Sequence, residues 1–172
     1  MLSVPVTRIP DEGSLEEDKI LDAAALGLGA EFSAGEVVLH WELSRRGRQV
    51  LAKGRAEALV RLDCSRCLEP FERRVAADFW VDFEPAGEPG EKDGLKPQDS
   101  DSGAVFYRGQ EVPLGEEIRQ ELELQVPFQP LCRPGCQGLC PGCGANRNQG
   151  ACACPGGANA NKRQIGRKWR GT

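Results

Sequence analysis

Histidine is almost absent from this chain of 172 residues, in which His40 is the only one. Catalytic zinc sites usually combine three protein ligands, frequently histidines, with one open coordination position. A single histidine therefore argues against a catalytic zinc centre. The sequence also assembles no convincing Ser/His/Asp set, phosphate-binding glycine loop or pair of catalytic carboxylates. It thus indicates a protein that is not an enzyme and has no small-molecule substrate.

Long apolar runs are missing as well. Residues 1–5 lead into Arg8, Asp11 and a series of acids, without the basic and then apolar segments of a secretory signal. The most apolar stretch, residues 22–28, is far shorter than the roughly 20 residues that cross a bilayer. From these absences we expect a cytoplasmic protein without a membrane partner.

Neither sign of charge dominates the whole chain. Charged residues make up 28% and the net charge is −4, which fits neither a strongly basic nucleic-acid-binding protein nor an acidic disordered chain. The charge is nevertheless uneven, because residues 162–172 hold five basic residues and no acid, which leaves −9 for residues 1–161. Different parts of the chain therefore suit partners of different charge.

Alternating apolar residues predict strands in the first half of the chain. Residues 36–44, 49–63 and 75–83 show the period of two that is typical of half-buried strands. The residues between the first two strands, 45–48, are predicted to form a turn, and Gly54 within the second suggests a bulge or bend. These segments predict a twisted antiparallel meander.

Residues 114–125 show a helical pattern. Leu114, Ile118 and Leu122 lie four residues apart, and Glu116 and Glu117 would face the positive end of the helix dipole. Pro127 is predicted to end this helix. The preceding residues 84–103 are rich in proline, glycine and acids, which predicts a flexible loop.

The predicted fold class is α+β: an antiparallel strand meander with one packed helix and a small Cys-rich, zinc-stapled C-terminal lobe. From residue 131 onward glycine, proline, cysteine and asparagine dominate, and such a composition needs a stabiliser other than an apolar core. The predicted parts are an irregular or weakly paired N-terminal arm (1–35), an α+β core that includes the acidic loop (36–130), the metal-binding lobe (131–155) and a basic tail expected to be disordered (156–172).

Eight cysteines are the most informative residues. In a reducing compartment, metal binding or redox chemistry is a commoner use of cysteine than disulfides. Eight thiolates suit two tetrahedral metal sites with four ligands each. The first partition places Cys140, Cys143, Cys152 and Cys154 in one local site, because the connection of eight residues closes at low entropic cost. The other site would then consist of Cys64, Cys67, Cys132 and Cys136.

Three alternatives to two zinc sites stay open at this stage. A single C-terminal ion could be held by four of the six clustered cysteines, which would leave Cys64 and Cys67 as a separate dithiol. Iron could replace zinc, although nothing in the sequence implies electron transfer. A thiol oxidoreductase is the third alternative, because Cys140 and Cys143 are spaced like a redox dithiol, but the turn-like residues 144–150 lack the helix that usually activates such a thiol.

Three segments together resemble the YceD family. They are residues 64–71, which begin Cys-Ser-Arg-Cys-Leu, the acid-rich helix at 116–122, and residues 130–146 with their Cys-Pro-Gly-Cys-Gly turn. Members of that family are bacterial and plastid proteins implicated in accumulation or processing of large-subunit ribosomal RNA. The resemblance therefore implies a role in ribosome biogenesis, with large-subunit rRNA or a pre-ribosomal particle as partner, either directly or through a ribosomal protein.

Two modes of action fit that role. In the first, the basic tail neutralises RNA phosphates while the metal sites hold a rigid platform. Its candidate RNA-binding residues are Lys162, Arg163, Arg167, Lys168, Trp169 and Arg170. In the second, the chain is an acidic interaction module that binds a basic ribosomal protein or a processing enzyme.

Overall fold

The computed structural model describes residues 2–32, 35–86, 103–150, 152 and 154. The chain divides into two units, of which the first consists of Met1–Leu62 and Glu72–Phe128 and the second of Asp63–Phe71 and Gln129–Thr172. All eight cysteines belong to the second unit. The domain boundaries drawn from the sequence stay predictions, but Cys64 and Cys67 group with the C-terminal segment and not with the predicted core.

Seven strands and one α-helix account for most of the regular structure in the described part of the chain. The antiparallel meander predicted from the sequence is confirmed, since the strands pair in the order β2-β3-β4-β5-β6 and a second small sheet pairs β1 with β7. The elements are β1 (Val4–Pro5), β2 (Leu15–Asp22), β3 (Glu36–Arg46), β4 (Gln49–Asp63), β5 (Pro70–Pro85), β6 (Val105–Tyr107), β7 (Glu111–Val112) and α1 (Leu114–Leu124).

The core of the first unit follows from the alternation in the central strands. On β3 the side chains of Val37, Leu39, Trp41 and Leu43 are fully buried, while the residues between them are more exposed. Burying one face of a sheet fixes the register, because a shift by one residue would turn these apolar side chains to solvent. β3 accordingly pairs with β4 without interruption from Val37 opposite Ala58 to Arg46 opposite Gln49.

The N-terminal arm is more ordered than the sequence suggested. β2 pairs with β3 along all eight of its residues, from Leu15 opposite Leu43 to Asp22 opposite Glu36, so the expectation of an irregular or weakly paired arm is wrong for this segment. The inward face of β2 mixes apolar and charged residues, because Glu17 and Lys19 are half-buried together with Leu15 and Leu21, while Ile20 is exposed. This mixture hides the strand from a search for alternating apolar residues.

β6 also departs from the predicted meander. It pairs with β5 in parallel, from Phe83 opposite Val105 to Pro85 opposite Tyr107. The prediction that order returns at residues 104–107 is confirmed, whereas Glu84 and Pro85, which were assigned to the flexible loop, belong to β5. Residues 87–102 of the predicted loop and the predicted tail, 156–172, lie outside the described residues.

Of the bulge or bend expected at Gly54, the bulge is wrong, because Gly54 lies opposite Trp41 in an unbroken register. A Cβ atom at this position would collide with the carbonyl oxygen of His40 and would lie 2.7 Å from Cζ of Phe79. Glycine is required here because the backbone of β3 and the ring of Phe79 leave no room for a Cβ atom.

Helix α1 confirms the predicted helix. Leu114, Ile118 and Leu122 are fully buried, and Arg119 on the other face bonds to Glu116 and Glu123. The helix ends at Leu124, three residues before Pro127. None of the helices in the described part of the chain is long and apolar enough to span a membrane.

Candidate metal centres

The eight thiols form two clusters of four. Within each cluster all sulfur atoms lie within 4.8 Å of one another. The first cluster contains Cys64, Cys67, Cys132 and Cys136, and the second contains Cys140, Cys143, Cys152 and Cys154. This grouping is the first of the partitions considered from the sequence, and each cluster could hold a metal ion. The alternative of a separate Cys64–Cys67 dithiol does not fit, because both thiols cluster with Cys132 and Cys136.

A tight turn between β4 and β5 presents the first pair of thiols. The N–H of Leu68 donates to the carbonyl of Cys64 at 2.9 Å, and the N–H of Cys64 donates to the carbonyl of Glu69 at 3.0 Å. Leu68 has a φ of 59°, in the left-handed region that favours glycine. The turn brings Cys64 and Cys67 to the same side of the loop, as a shared ion requires.

The C-terminal segment docks on this turn through its backbone. The N–H of Leu139 donates to the carbonyl of Arg66 at 3.1 Å, and the Arg66 guanidinium donates to the carbonyl of Cys136 at 3.0 Å. A Cβ at Gly138 would lie 2.9 Å from the carbonyl oxygen of Arg66, so glycine permits this approach. The first cluster thereby joins two segments that are more than 60 residues apart in the sequence.

A second turn of the same kind holds Cys140 and Cys143. The N–H of Gly144 donates to the carbonyl of Cys140 at 2.8 Å, and the N–H of Cys140 donates to the carbonyl of Ala145, also at 2.8 Å. Gly144 has a φ of 73°. A Cβ at Gly142 would lie 3.5 Å from the sulfur of Cys154, which places Cys154 beside the turn.

The sulfur–sulfur distances fit a metal and not disulfides. They are 3.6 Å between Cys64 and Cys136 and 3.8 Å between Cys67 and Cys132, and all eight cysteines are free. Sulfurs in a disulfide lie about 2.05 Å apart. Four thiolates bound tetrahedrally at about 2.3 Å lie about 3.8 Å from one another, which is close to these two distances in the first cluster. In the second cluster Cys140 and Cys152 are closer, at 3.2 Å.

The thiol pKa values differ within each cluster. In the first, hydrogen bonds led by the backbone N–H of Cys132 lower the pKa of Cys64 to about 6, while burial raises the pKa of Cys132 to about 12. In the second, the Cys152 side chain lowers the pKa of Cys140 to about 6, and the Cys143 side chain raises the pKa of Cys154 to about 12. Four thiolates this close repel one another, so full ionisation requires a cation between them.

Asn148 is a part of the first cluster that sequence reasoning missed. Its side-chain amide donates to the sulfur of Cys136 at 3.3 Å and lowers the pKa of that thiol. Its oxygen accepts from the backbone N–H of Gln137 at 2.9 Å and from Arg133 at 2.8 Å. Asn146 in turn holds Asn148 through bonds to its side chain and its backbone. The one sequence signal for this network is the Asn-Arg-Asn segment, residues 146–148, which follows the turn at Gly144.

The structure describes the redox-like dithiol and His40 among the remaining predicted features, but not the basic tail. Residues 141–143 and 147–149 are turns, so no helix follows Cys140 and Cys143 within the described residues to activate a redox thiol. His40 lies on the exposed side of β3, where its Nδ1 contacts Asp18 at 2.7 Å. The six candidate RNA-binding residues, Lys162, Arg163, Arg167, Lys168, Trp169 and Arg170, lie outside the described residues.

Comparison with known proteins agrees with the resemblance. A family model described as "Large ribosomal RNA subunit accumulation protein YceD" matches residues 52–170. A chloroplastic large ribosomal RNA subunit accumulation protein YCED homolog of Zea mays is 24% identical over 141 residues, which cover 69% of this chain and 48% of the maize protein. Uncharacterized proteins of Mycobacterium bovis and Mycobacterium tuberculosis are 33% identical over 95 residues, 55% of this chain and 44% of theirs.

The chain spans about half the length of the curated relatives it matches. No solved structure matches it significantly. The family model, however, covers well over half of the chain and includes all eight cysteines. This protein therefore belongs to the YceD family.

Proposed function

We propose that this protein is a non-catalytic zinc-binding factor in ribosome biogenesis that promotes the accumulation and processing of large-subunit rRNA in the bacterial cytoplasm. The observation that carries the proposal is the presence of two closed sets of four thiols in a chain whose family is described by large-subunit rRNA accumulation. Sites with four cysteine ligands have no open position for a substrate, so their role is structural. The partner would be large-subunit rRNA or a pre-ribosomal particle.

Zinc is the proposed metal because it favours four thiolates in tetrahedral geometry and has no redox chemistry. Iron can occupy the same ligand set. Electron transfer by iron would need a redox partner, and nothing in the described residues suggests one. A purely structural ion is sufficient to explain the second unit.

The zinc ions would supply the folding energy that this unit otherwise lacks. Its apolar cluster is small: buried Cys64, Cys67 and Cys136 contact the partly buried side chains of Phe71, Leu131, Cys132 and Leu139. Such a small core cannot offset the conformational entropy of folding. Metal binding to thiolates can contribute about 10 kcal/mol or more to folding in small zinc domains. The unit is therefore expected to unfold when zinc is removed.

A second mode of action has an observation in its favour. Helix α1 carries four half-buried acids, Glu116, Glu117, Glu121 and Glu123, and its only base, Arg119, is engaged by Glu116 and Glu123. Such an acidic helix suits a basic protein. The alternative function is thus an interaction module that recruits a ribosomal protein or a processing enzyme, while the basic tail would suit RNA directly.

Elemental mass spectrometry of the purified protein tests the metal sites. We expect two zinc ions per chain in the native protein and one in the Cys64→Ser/Cys67→Ser variant. The Cys140→Ser/Cys143→Ser variant should also retain one and serves as the matched control. One zinc ion in the native protein, with the same content in the Cys64→Ser/Cys67→Ser variant, would contradict the proposal of two sites. Iron in place of zinc would contradict the proposed identity of the metal.

The cellular role is tested by rRNA levels. Cells that lack the chromosomal copy should show a decrease in large-subunit rRNA relative to small-subunit rRNA, and the native protein should restore the ratio. Both cysteine variants should fail to restore it. An unchanged ratio in cells without the protein would refute the proposed function, whatever the metal content.

A further inference from the structure

The turn between β3 and β4 borders a cleft that is distinct from the cysteine clusters. The cleft lies within the first unit and has a volume of about 620 Å³. Its walls include Arg45, Arg48 and Arg108 together with Thr7 and Gln110, and no acidic side chain is among the described residues that line it. Ligand-binding clefts generally have volumes of about 300–1,000 Å³, so this one can hold a group the size of one or two nucleotides.

Arg45 is held firmly in the wall of the cleft. Its side chain is 19% exposed, its Nη1 lies 2.8 Å from a carboxylate oxygen of Asp11, and its Nε donates to the carbonyl of Ile9. Nη1 also donates to the carbonyl of Gly47 at 3.2 Å. Because Asp11 compensates its charge, Arg45 shapes the cleft more than it attracts an anion.

Arg48 and Arg108 are different, since both are exposed and neither has an ion-pair partner in the part of the chain that the structure describes. Among the described residues, the Arg48 side chain donates to the carbonyl of Gly109, at 3.4 Å, and to no other group. Its own carbonyl accepts from the hydroxyl of Tyr107, which fixes the backbone from which the side chain extends. Two guanidinium groups without an ion-pair partner among the described residues therefore line one cleft.

A neighbouring cleft on the same turn lacks this excess of positive charge. Arg46 lines it together with Arg45, but so do Asp11 and Asp82. Acids beside an arginine reduce its attraction for an anion. Of these two clefts, the one lined by Arg48 and Arg108 therefore has the greater potential to bind an anion, and Arg46 provides a matched control on the same turn.

Guanidinium groups bind phosphate oxygens through paired N–H donors, which makes arginine a preferred residue for phosphate recognition. The cleft offers no aromatic face for stacking on a base, because Tyr107 is buried and its hydroxyl is engaged. Contacts to phosphate without contacts to bases give affinity that does not depend on sequence.

We propose that this cleft binds the phosphodiester backbone of single-stranded RNA, with Arg48 and Arg108 as the phosphate-binding residues and Arg45 as a positioning residue. The choice of RNA among polyanions rests on the proposed function. The site is separate in sequence from the basic tail, so the protein would contact RNA from its folded first unit as well.

Fluorescence anisotropy with labelled single-stranded RNA of mixed sequence tests the proposal. The full-length, zinc-loaded native protein is compared with the Arg48→Gln/Arg108→Gln variant and with Arg46→Gln at several salt concentrations. We expect the double variant to bind at least tenfold more weakly. Because each phosphate contact on a single strand contributes about 0.7 to the slope of log K against log salt, its slope should decrease in magnitude by about 1.4. Arg46→Gln should bind within twofold of the native protein.

Several results would overturn the proposal. One is equal affinity and equal salt slope for the native protein and the double variant, both with two zinc ions and the same melting temperature. Another is a loss of affinity for one RNA sequence only, which would indicate base recognition. A third is native protein that does not bind RNA but binds polyglutamate, with the polyglutamate binding lost in the double variant. That result would assign the cleft to an acidic peptide.

The rRNA ratio in cells separates failure of this site from failure of the proposed function. If the native protein restores large-subunit rRNA and the double variant restores it equally well, the cleft is not an RNA site that matters and the proposed function stands. If the native protein itself does not restore the ratio, the proposed function fails. Reduced restoration by the double variant alone supports the cleft.

Discussion

Leu68 and Gly144 occupy the same position in the two cysteine turns. Each lies directly after the second cysteine of a Cys-x-x-Cys sequence, and each donates its N–H to the carbonyl of the first cysteine, at 2.9 and 2.8 Å. Both have positive φ angles, 59° for Leu68 and 73° for Gly144. The first turn therefore places a leucine where the backbone favours glycine, and the leucine side chain is 64% exposed.

Leu68→Gly is expected to strengthen the first metal cluster. A residue with a Cβ in the left-handed region costs about 1–2 kcal/mol, of which the greater flexibility of unfolded glycine offsets about half. Because Leu68 buries little surface, we expect a net gain of about 0.5–1 kcal/mol. Competition with a zinc chelator, measured as zinc transferred at equilibrium, checks the change.

Gly144→Leu is the matched control and should weaken the second cluster through the strain that Leu68 now carries. If Leu68→Gly instead lowers zinc retention, the leucine must contribute contacts that outweigh the backbone strain.

Asn148→Ala is expected to weaken zinc binding at the first cluster by about 10- to 100-fold, the usual cost of removing a group that orients a metal ligand. The amide of Asn148 donates to the sulfur of Cys136, and its loss would raise the pKa of that thiol and favour the protonated form, which does not bind zinc. Isothermal competition with a chelator measures the affinity. Gln149→Ala, which removes a bond to Glu69 and none to sulfur, should leave it unchanged. Equal affinity in both variants would show that Asn148 only supports the loop.

A strand can be predicted from the sequence when its apolar residues are buried and its polar residues are exposed. β3 has buried Val37, Leu39 and Trp41 and polar or exposed residues between them, so its period of two is visible. β2 departs from this relation, because the Nζ of Lys19 lies 5.0 Å from the centre of the Trp41 ring while Ile20 faces solvent. A lysine ammonium is attracted to the face of an aromatic ring, so a charged residue can occupy the inward side of a strand. Such a strand can be recognised only once its partner is known.

The grouping of the cysteines was accessible from the sequence because it depends on loop lengths. The short connection from Cys143 to Cys152 favours a local site, and the remaining thiols must then combine across the chain. The cleft of Arg48 and Arg108 was not accessible, because the residues come from two turns about 60 positions apart. Their meeting depends on sheet order and on the parallel strand β6, which no local pattern encodes.

Gly54→Ala tests the close packing in the first unit. The added methyl would collide with the carbonyl oxygen of His40 and lie 2.7 Å from Cζ of Phe79, so the strand or the ring must move. Overpacking of this kind costs about 1–3 kcal/mol of unfolding free energy. Urea unfolding followed through tryptophan fluorescence measures the change. Gly135→Ala, where a Cβ meets nothing within 4 Å, should stay within about 0.5 kcal/mol of the native protein. A similar small change for Gly54→Ala would mean that β4 can shift without cost.

The two clusters are expected to lose zinc at different rates. Cys64, Cys67 and Cys136 are buried, whereas Cys143 is exposed and Cys152 and Cys154 are half-buried. A chelator must reach the sulfurs of the ion that it removes, so the second cluster should release its zinc first and the first cluster only after the unit opens. Stopped-flow mixing with a chromogenic chelator should show two phases of equal amplitude. The Cys140→Ser/Cys143→Ser variant should lose the fast phase and keep the slow one. If that variant keeps the fast phase, or if the native protein releases both ions in one phase, the exposure of the thiols does not govern release and the two sites must open together.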